Sequence, residues 1–161
     1  MDKFSEVDKR GQDKVIPIID NVFNKCKDVK IEQHFADKGR VDLFVTATTH
    51  NNITKTYAIE CKDRWFPSDK YQECMLNPDK WGWLMAYKKL GYKPLFINTF
   101  SDNRYIIWDI SMKDWDVGVF NVPVTTVENN GRTQEPRFLL PIEDSIFSGS
   151  TMQSIDLYPL E

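Results

Sequence analysis

The chain has 161 residues, 41% of them hydrophobic and 28% charged, with a formal net charge of −3. That length is natural for one domain burying roughly 70% of its unfolded surface, and the slight acidity does not mark the whole surface as a phosphate binder. The charged start, Met1 to Glu6, lacks the apolar core of a secretory signal, no apolar run approaches the ~18 residues of a membrane span, and three cysteines without a C-x-x-C pair argue against a disulfide framework, a zinc ribbon and a four-cysteine cluster, so a cytoplasmic, reducing setting without membrane contact is expected.

Phe4, Val7, Gly11, Val15, Ile18 and Val22 recur every three or four residues, which predicts an amphipathic first helix that Pro17 should kink or divide. Residues 29–35 alternate apolar and polar and predict a strand. Residues 40–62 then hold two β-rich runs around a polar break at His50, Asn51 and Asn52, the pattern of a hairpin. A loop from Asp63 to Ser68 should lead, with Ser68 as N-cap, into a helix through Tyr71, Cys74 and Met75. Asn77 and Pro78 predict a second helical start and Gly91 its end. Residues 94–100 are continuously apolar, as in a strand buried on both faces, and residues 104–110 complete a second hairpin. Beyond lie two short strand-like runs around Asn129, Asn130 and Gly131, then a loose end. The expected architecture is an α/β domain with a central mixed sheet flanked by helices: a core over residues 1–113 and a C-terminal β-hairpin extension over 114–161, packed on the core or joining a homodimer through an uncovered edge.

Within the first hairpin, charged residues stand where strands prefer apolar ones. Side chains two apart on a strand share a face about 6.6 Å apart, so Glu60 and Lys62 stand together with Ala58, while Tyr57, Ile59 and Cys61 form the opposite, apolar face. Asp42 joins Glu60 and Lys62 only if it lies opposite 60 or 62, which demands an odd-length turn near Asn51 and Asn52, or a bulge. Two carboxylates and an amine on one exposed patch suit metal-assisted phosphodiester hydrolysis. Asp42, Glu60 and the backbone carbonyl of Cys61 offer oxygen ligands for Mg²⁺ or Mn²⁺, and Lys62, its pKa lowered by the cation, orients or deprotonates the attacking water. His34 and His50, the only histidines, have no metal-pair spacing and read as structural.

Asp42, an interval with one turn, and Glu60-Cys61-Lys62 after the apolar Tyr57-Ala58-Ile59 resemble the signature of the PD-(D/E)XK nuclease superfamily, whose members share the restriction-endonuclease-like fold. The element order over residues 4–110 is similar as well, and resembles the compact Holliday-junction-resolvase-like and phage-type branches more than the large restriction enzymes, although Val41 stands where the signature has proline. The resemblance implies a Mg²⁺- or Mn²⁺-dependent endonuclease acting on DNA, with RNA left open, and an additional acidic ligand from the first helix, for which Glu6 is the candidate and Asp13 the reserve. Arg64, Lys70 and Lys80 are candidates for substrate contact, because residues 62–93 carry seven basic side chains against four acidic ones. The alternative is a nuclease-fold module that binds nucleic acid or a protein without cutting.

Overall fold

The computed structural model describes residues 3–33, 40–123 and 131–150, with the side chains of residues 3–10 and 122–123 outside the description. It is a mixed α/β fold. Helix α1 (Lys3–Val22) precedes an antiparallel meander of β1 (Asp28–Gln33), β2 (Leu43–Thr48) and β3 (Thr54–Asp63). Strand β4 (Glu73–Leu76) and helix α2 (Pro78–Lys89) cross over to β5 (Lys93–Thr99), which runs parallel to β3 and turns back as β6 (Arg104–Asp109). Strands β7 (Val117–Pro123), β8 (Arg132–Pro141) and β9 (Phe147–Ser150) follow.

The main sheet has the order β1-β2-β3-β5-β6-β9, and a second sheet the order β4-β8-β7. One face of the main sheet is covered by α1: Val15, Ile18, Ile19, Val22 and Phe23 pack on Leu43, Val45, Tyr57, Ile59, Leu95 and Ile97. Tyr57 and Ile59 thus form the apolar face that strand alternation predicts. The other face is covered by α2 and the small sheet, where Leu84, Cys74, Leu76 and Leu140 meet Ala58, Phe96 and Trp108. Between two such layers β5 has no solvent-facing side, and every residue after Lys93 in it is buried.

Helix α1 runs through Pro17 undivided. An interior proline costs about 3 kcal/mol, but Pro17 points to solvent while its neighbours Val15, Ile18 and Ile19 are fully buried, and that burial outweighs the lost hydrogen bond. Helix α2 starts as the sequence predicts. Asn77 caps it, its Oδ1 accepting from the Asp79 amide at 2.8 Å with Pro78 in the first turn, and Gly91 at φ +96° closes it.

The helix expected through Tyr71, Cys74 and Met75 does not form. Residues 73–76 are strand β4, with Cys74 and Leu76 buried and Glu73 and Met75 exposed. Four residues in a period of two are too few to outweigh helix propensity by themselves; the partner that decides is β8, more than sixty positions later, paired from Glu73↔Pro141 to Leu76↔Phe138. Ser68 caps no helix there, and its amide and hydroxyl both donate to Asp102 Oδ2. After β8, β9 rejoins the main sheet beside β6. Gly149 makes that pairing possible, because a Cβ there would lie 2.8 Å from the Tyr105 hydroxyl. The turn expected at residues 129–131 and the end expected to be loose fall mainly outside the described residues, as does His34.

Candidate active site

The hairpin has the odd-length turn that a shared face calls for. β2 and β3 pair from Thr48↔Thr54 to Leu43↔Ile59 around a five-residue turn, 49–53, with Asn52 at φ 62°. At the end of that ladder the Asp42 amide donates to the Ile59 carbonyl at 3.1 Å, out of the regular register, and this brings Asp42 beside Glu60. The Asp42 carboxylate is close enough to Glu60 for its charge to act on it.

Each carboxyl is held differently. Asp42 accepts from both sides: its Oδ2 takes the Cys61 amide at 2.8 Å and its Oδ1 takes Gln12 Nε2 at 3.1 Å. Glu60 lies beneath α2, only 6% exposed, with Lys80 Nζ 3.1 Å from Oε1 and the same ammonium 3.3 Å from the Arg40 carbonyl. Glu60 Oε2 and Gln12 Oε1 are buried without hydrogen-bond partners among the described residues. Burial, followed by the charge of Asp42, pushes the Glu60 carboxyl up to about 8, against the opposing pull of Lys80. Burial likewise raises the Cys61 thiol, which makes that side chain a structural element and not a nucleophile.

Glu60 corrects one expectation. The face shared by Ala58, Glu60 and Lys62 is not an exposed patch, because α2 covers it as far as Glu60; only Lys62, at the end of β3, reaches solvent. The Cys61 backbone turns toward the site, since the Ile59 carbonyl and the Cys61 amide both bond toward β2. Amide and carbonyl of one strand residue point to the same side, so the Cys61 carbonyl faces the space beyond the last β2 residue.

The remaining candidates lie around this centre. Lys80 is at Glu60. Arg64 is built into the fold, Nε donating to Asn98 Oδ1 at 2.5 Å and Nη2 to the Met75 carbonyl at 2.7 Å, and burial lowers its pKa. Lys70 stands over the rings of Trp65, Tyr71 and Phe66 at 4.9, 5.3 and 5.8 Å. Glu6 belongs to the part of α1 whose side chains are not described, and Asp13 is exposed. The residue that α1 does bring to the site is Gln12, which sequence reasoning passed over. Its signal was a polar side chain one step from Gly11 in the apolar stripe, three residues before Val15 and seven before Ile19. Lys14, two positions on, closes the other side of β3 by pairing with Asp63 at 2.9 Å, while Asp63 also accepts from Thr99 Oγ1 at 2.8 Å.

Among the described residues no group of three or more His, Cys, Asp or Glu side chains is placed to hold a metal ion. The donor set nonetheless suits a hard divalent cation: two adjoining carboxyls, one amide oxygen and one backbone carbonyl, all oxygens, with two buried oxygens lacking partners. Such a cation would offset the burial, and the charge of Asp42, that keep Glu60 protonated near neutrality.

No protein-family profile matches the sequence. No curated protein matches it. Among solved structures, the chain is similar to the Holliday junction resolvase Hjc of Archaeoglobus fulgidus, with 10% identity and a TM-score of 0.49 over 88% of this chain and 91% of that one.

Proposed function

We propose that the chain is a divalent-metal-dependent nuclease acting on DNA. The observation that supports this most is the pairing of Asp42 with a buried Glu60 whose second oxygen has no partner, on the strand that presents Lys62 two residues later. Asp42, Glu60, Gln12 Oε1 and the Cys61 carbonyl would hold Mg²⁺ or Mn²⁺, which when bound neutralises charge on a scissile phosphate. Asp42 is fixed by two donors, so its carboxylate is oriented before any substrate arrives. Lys62 stands on the same strand face at the solvent boundary, where an amine can position an attacking water and take its proton. Lys80 lies 3.1 Å from Glu60 in the folded chain and can turn to a phosphate once that carboxyl has another partner.

Incubation with single-stranded, duplex and branched DNA, and with RNA, in Mg²⁺ or Mn²⁺ tests the reading. Chelator-sensitive cleavage is expected, and Asp42→Ala or Lys62→Ala is expected to reduce it by at least about a hundredfold, in the range of a lost acid–base group. Unchanged cleavage in the Asp42 variant would overturn the assignment. The Lys80–Glu60 pair favours one second reading, a module that binds without cutting, because the ammonium already occupies the Glu60 oxygen that a cation would take; no cleavage of any substrate, with binding retained, would select it. A two-fold assembly, which cutting both strands calls for, has a candidate surface in the edge strand β7, where Val117 and Val119 are 55% and 67% exposed. Sedimentation at micromolar concentration is expected to give a dimer, and a monomer there removes that surface from consideration.

A further inference from the structure

The loop that leaves β3 carries the most exposed large apolar side chain among the described residues, Trp65 at 81%. A freely moving loop would explain this, but the loop is fastened at each turn. The Arg64 amide donates to the Thr99 carbonyl at 2.7 Å, Ser101 to the Phe66 carbonyl at 3.1 Å, Lys70 to the Pro67 carbonyl at 3.2 Å, and Ser68 twice to Asp102. Beneath it Phe66 packs edge-on against Tyr71 at 4.9 Å and tilts against Phe100 at 6.1 Å, joining the core on the α2 side of the sheet. That is the face on which Glu60 and Lys62 stand. Trp65 follows Lys62 by three residues, a span of at most about 11 Å.

We infer that Trp65, with Lys70 beside it, is a stacking platform for an unpaired base next to the scissile phosphate, so that the substrate is DNA with single-stranded nucleotides at the cut. The inference rests on the nuclease reading for the position of the cut alone. An indole face open to solvent and an ammonium 4.9 Å from its centre match the two parts of an unpaired nucleotide, the aromatic base and the phosphate. A base inside a duplex offers no free face, so duplex DNA gains nothing from the platform. The strand does not continue past Tyr71: the groove beyond, a cavity of about 700 Å³, sets Arg104 against Asp69, Glu73 and Glu143, which repel phosphate. The contact is therefore short, one or two nucleotides.

Binding without metal separates this inference from the cleavage reading. Fluorescence anisotropy with labelled oligo-dT and with a blunt duplex of equal length, in chelator, is expected to show Trp65→Ala weakening single-strand binding about tenfold or more, with duplex binding unchanged and Trp65→Tyr retaining most of the affinity. Because Trp65 is exposed, both variants should melt where the parent does, and the tyrosine variant keeps the test valid if the alanine variant misfolds. Equal single-strand affinity in parent and Trp65→Ala, a tenfold preference of the parent for duplex, or no binding of either DNA overturns the platform. Single-strand binding that depends on Trp65 in a protein that never cleaves leaves the platform standing and removes the nuclease.

Discussion

Glu60→Gln is expected to abolish cleavage and, in the metal-free protein, to flatten the dependence of stability on pH. The folded chain holds the Glu60 carboxyl at about 8, above its ordinary 4.5, because the group is buried beside Asp42. Between pH 4.5 and 8 the folded state therefore keeps a proton that the unfolded chain has released, so the parent's stability falls as pH rises through that window. A shift from 4.5 to about 8 corresponds to on the order of 5 kcal/mol, fully lost above pH 8. Glutamine does not ionise, preserves the shape and can still accept from Lys80. The variant should thus match the parent near pH 5 and exceed it at pH 9, a trade of stability for function of the kind that binding sites commonly show. Thermal melts of both proteins in chelator across pH 5 to 9 read this directly. Parallel curves would mean that Glu60 is ionised throughout, and that its burial is compensated by Lys80 alone.

A chain ending at Lys113 is expected not to fold, the second large effect. Removing residues 114–161 takes away Trp115 and Leu140, both buried, along with Phe138, which stacks on Trp81 at 4.8 Å, and Ile142, all in the core under α2. It leaves β4 without β8, opens the β6 edge that β9 covers, and strips Trp108 of the Pro141 carbonyl that its Nε1 bonds at 2.9 Å. At ~1.5–3 kcal/mol for each large apolar side chain, the loss is on the order of 10 kcal/mol, comparable to the whole stability of a domain. Circular dichroism and hydrogen exchange on the truncated chain check it; a cooperative melt would establish residues 1–113 as an independent unit, the division that composition suggests. A smaller truncation before Phe147 should fold but melt earlier, since it removes one edge strand and leaves β8 in place.

Much of this architecture is carried by short-range pattern. The α1 stripe, the alternation in β2 and β3, the unbroken apolar run of β5 and the Asn77, Pro78 and Gly91 signals each depend on residues within one element, so their periods and caps declare themselves. The grouping of Ala58, Glu60 and Lys62 on one face follows from the same local rule, because side-chain direction in a strand has a period of two. What tertiary structure alone decides is what covers each face and which distant partner each segment meets. Residues 73–76 read as helix until β8 pairs with them, and the face of Glu60 reads as exposed until α2 is laid over it. Gln12 and Lys80 reach the carboxyls from helices 30 positions before Asp42 and 20 after Glu60, and no local period encodes such a meeting. The elevated proton affinity of Glu60 is set the same way: sequence supplies the carboxyl, and only the packing of α2 against β3 removes the water that would have kept it an ordinary one.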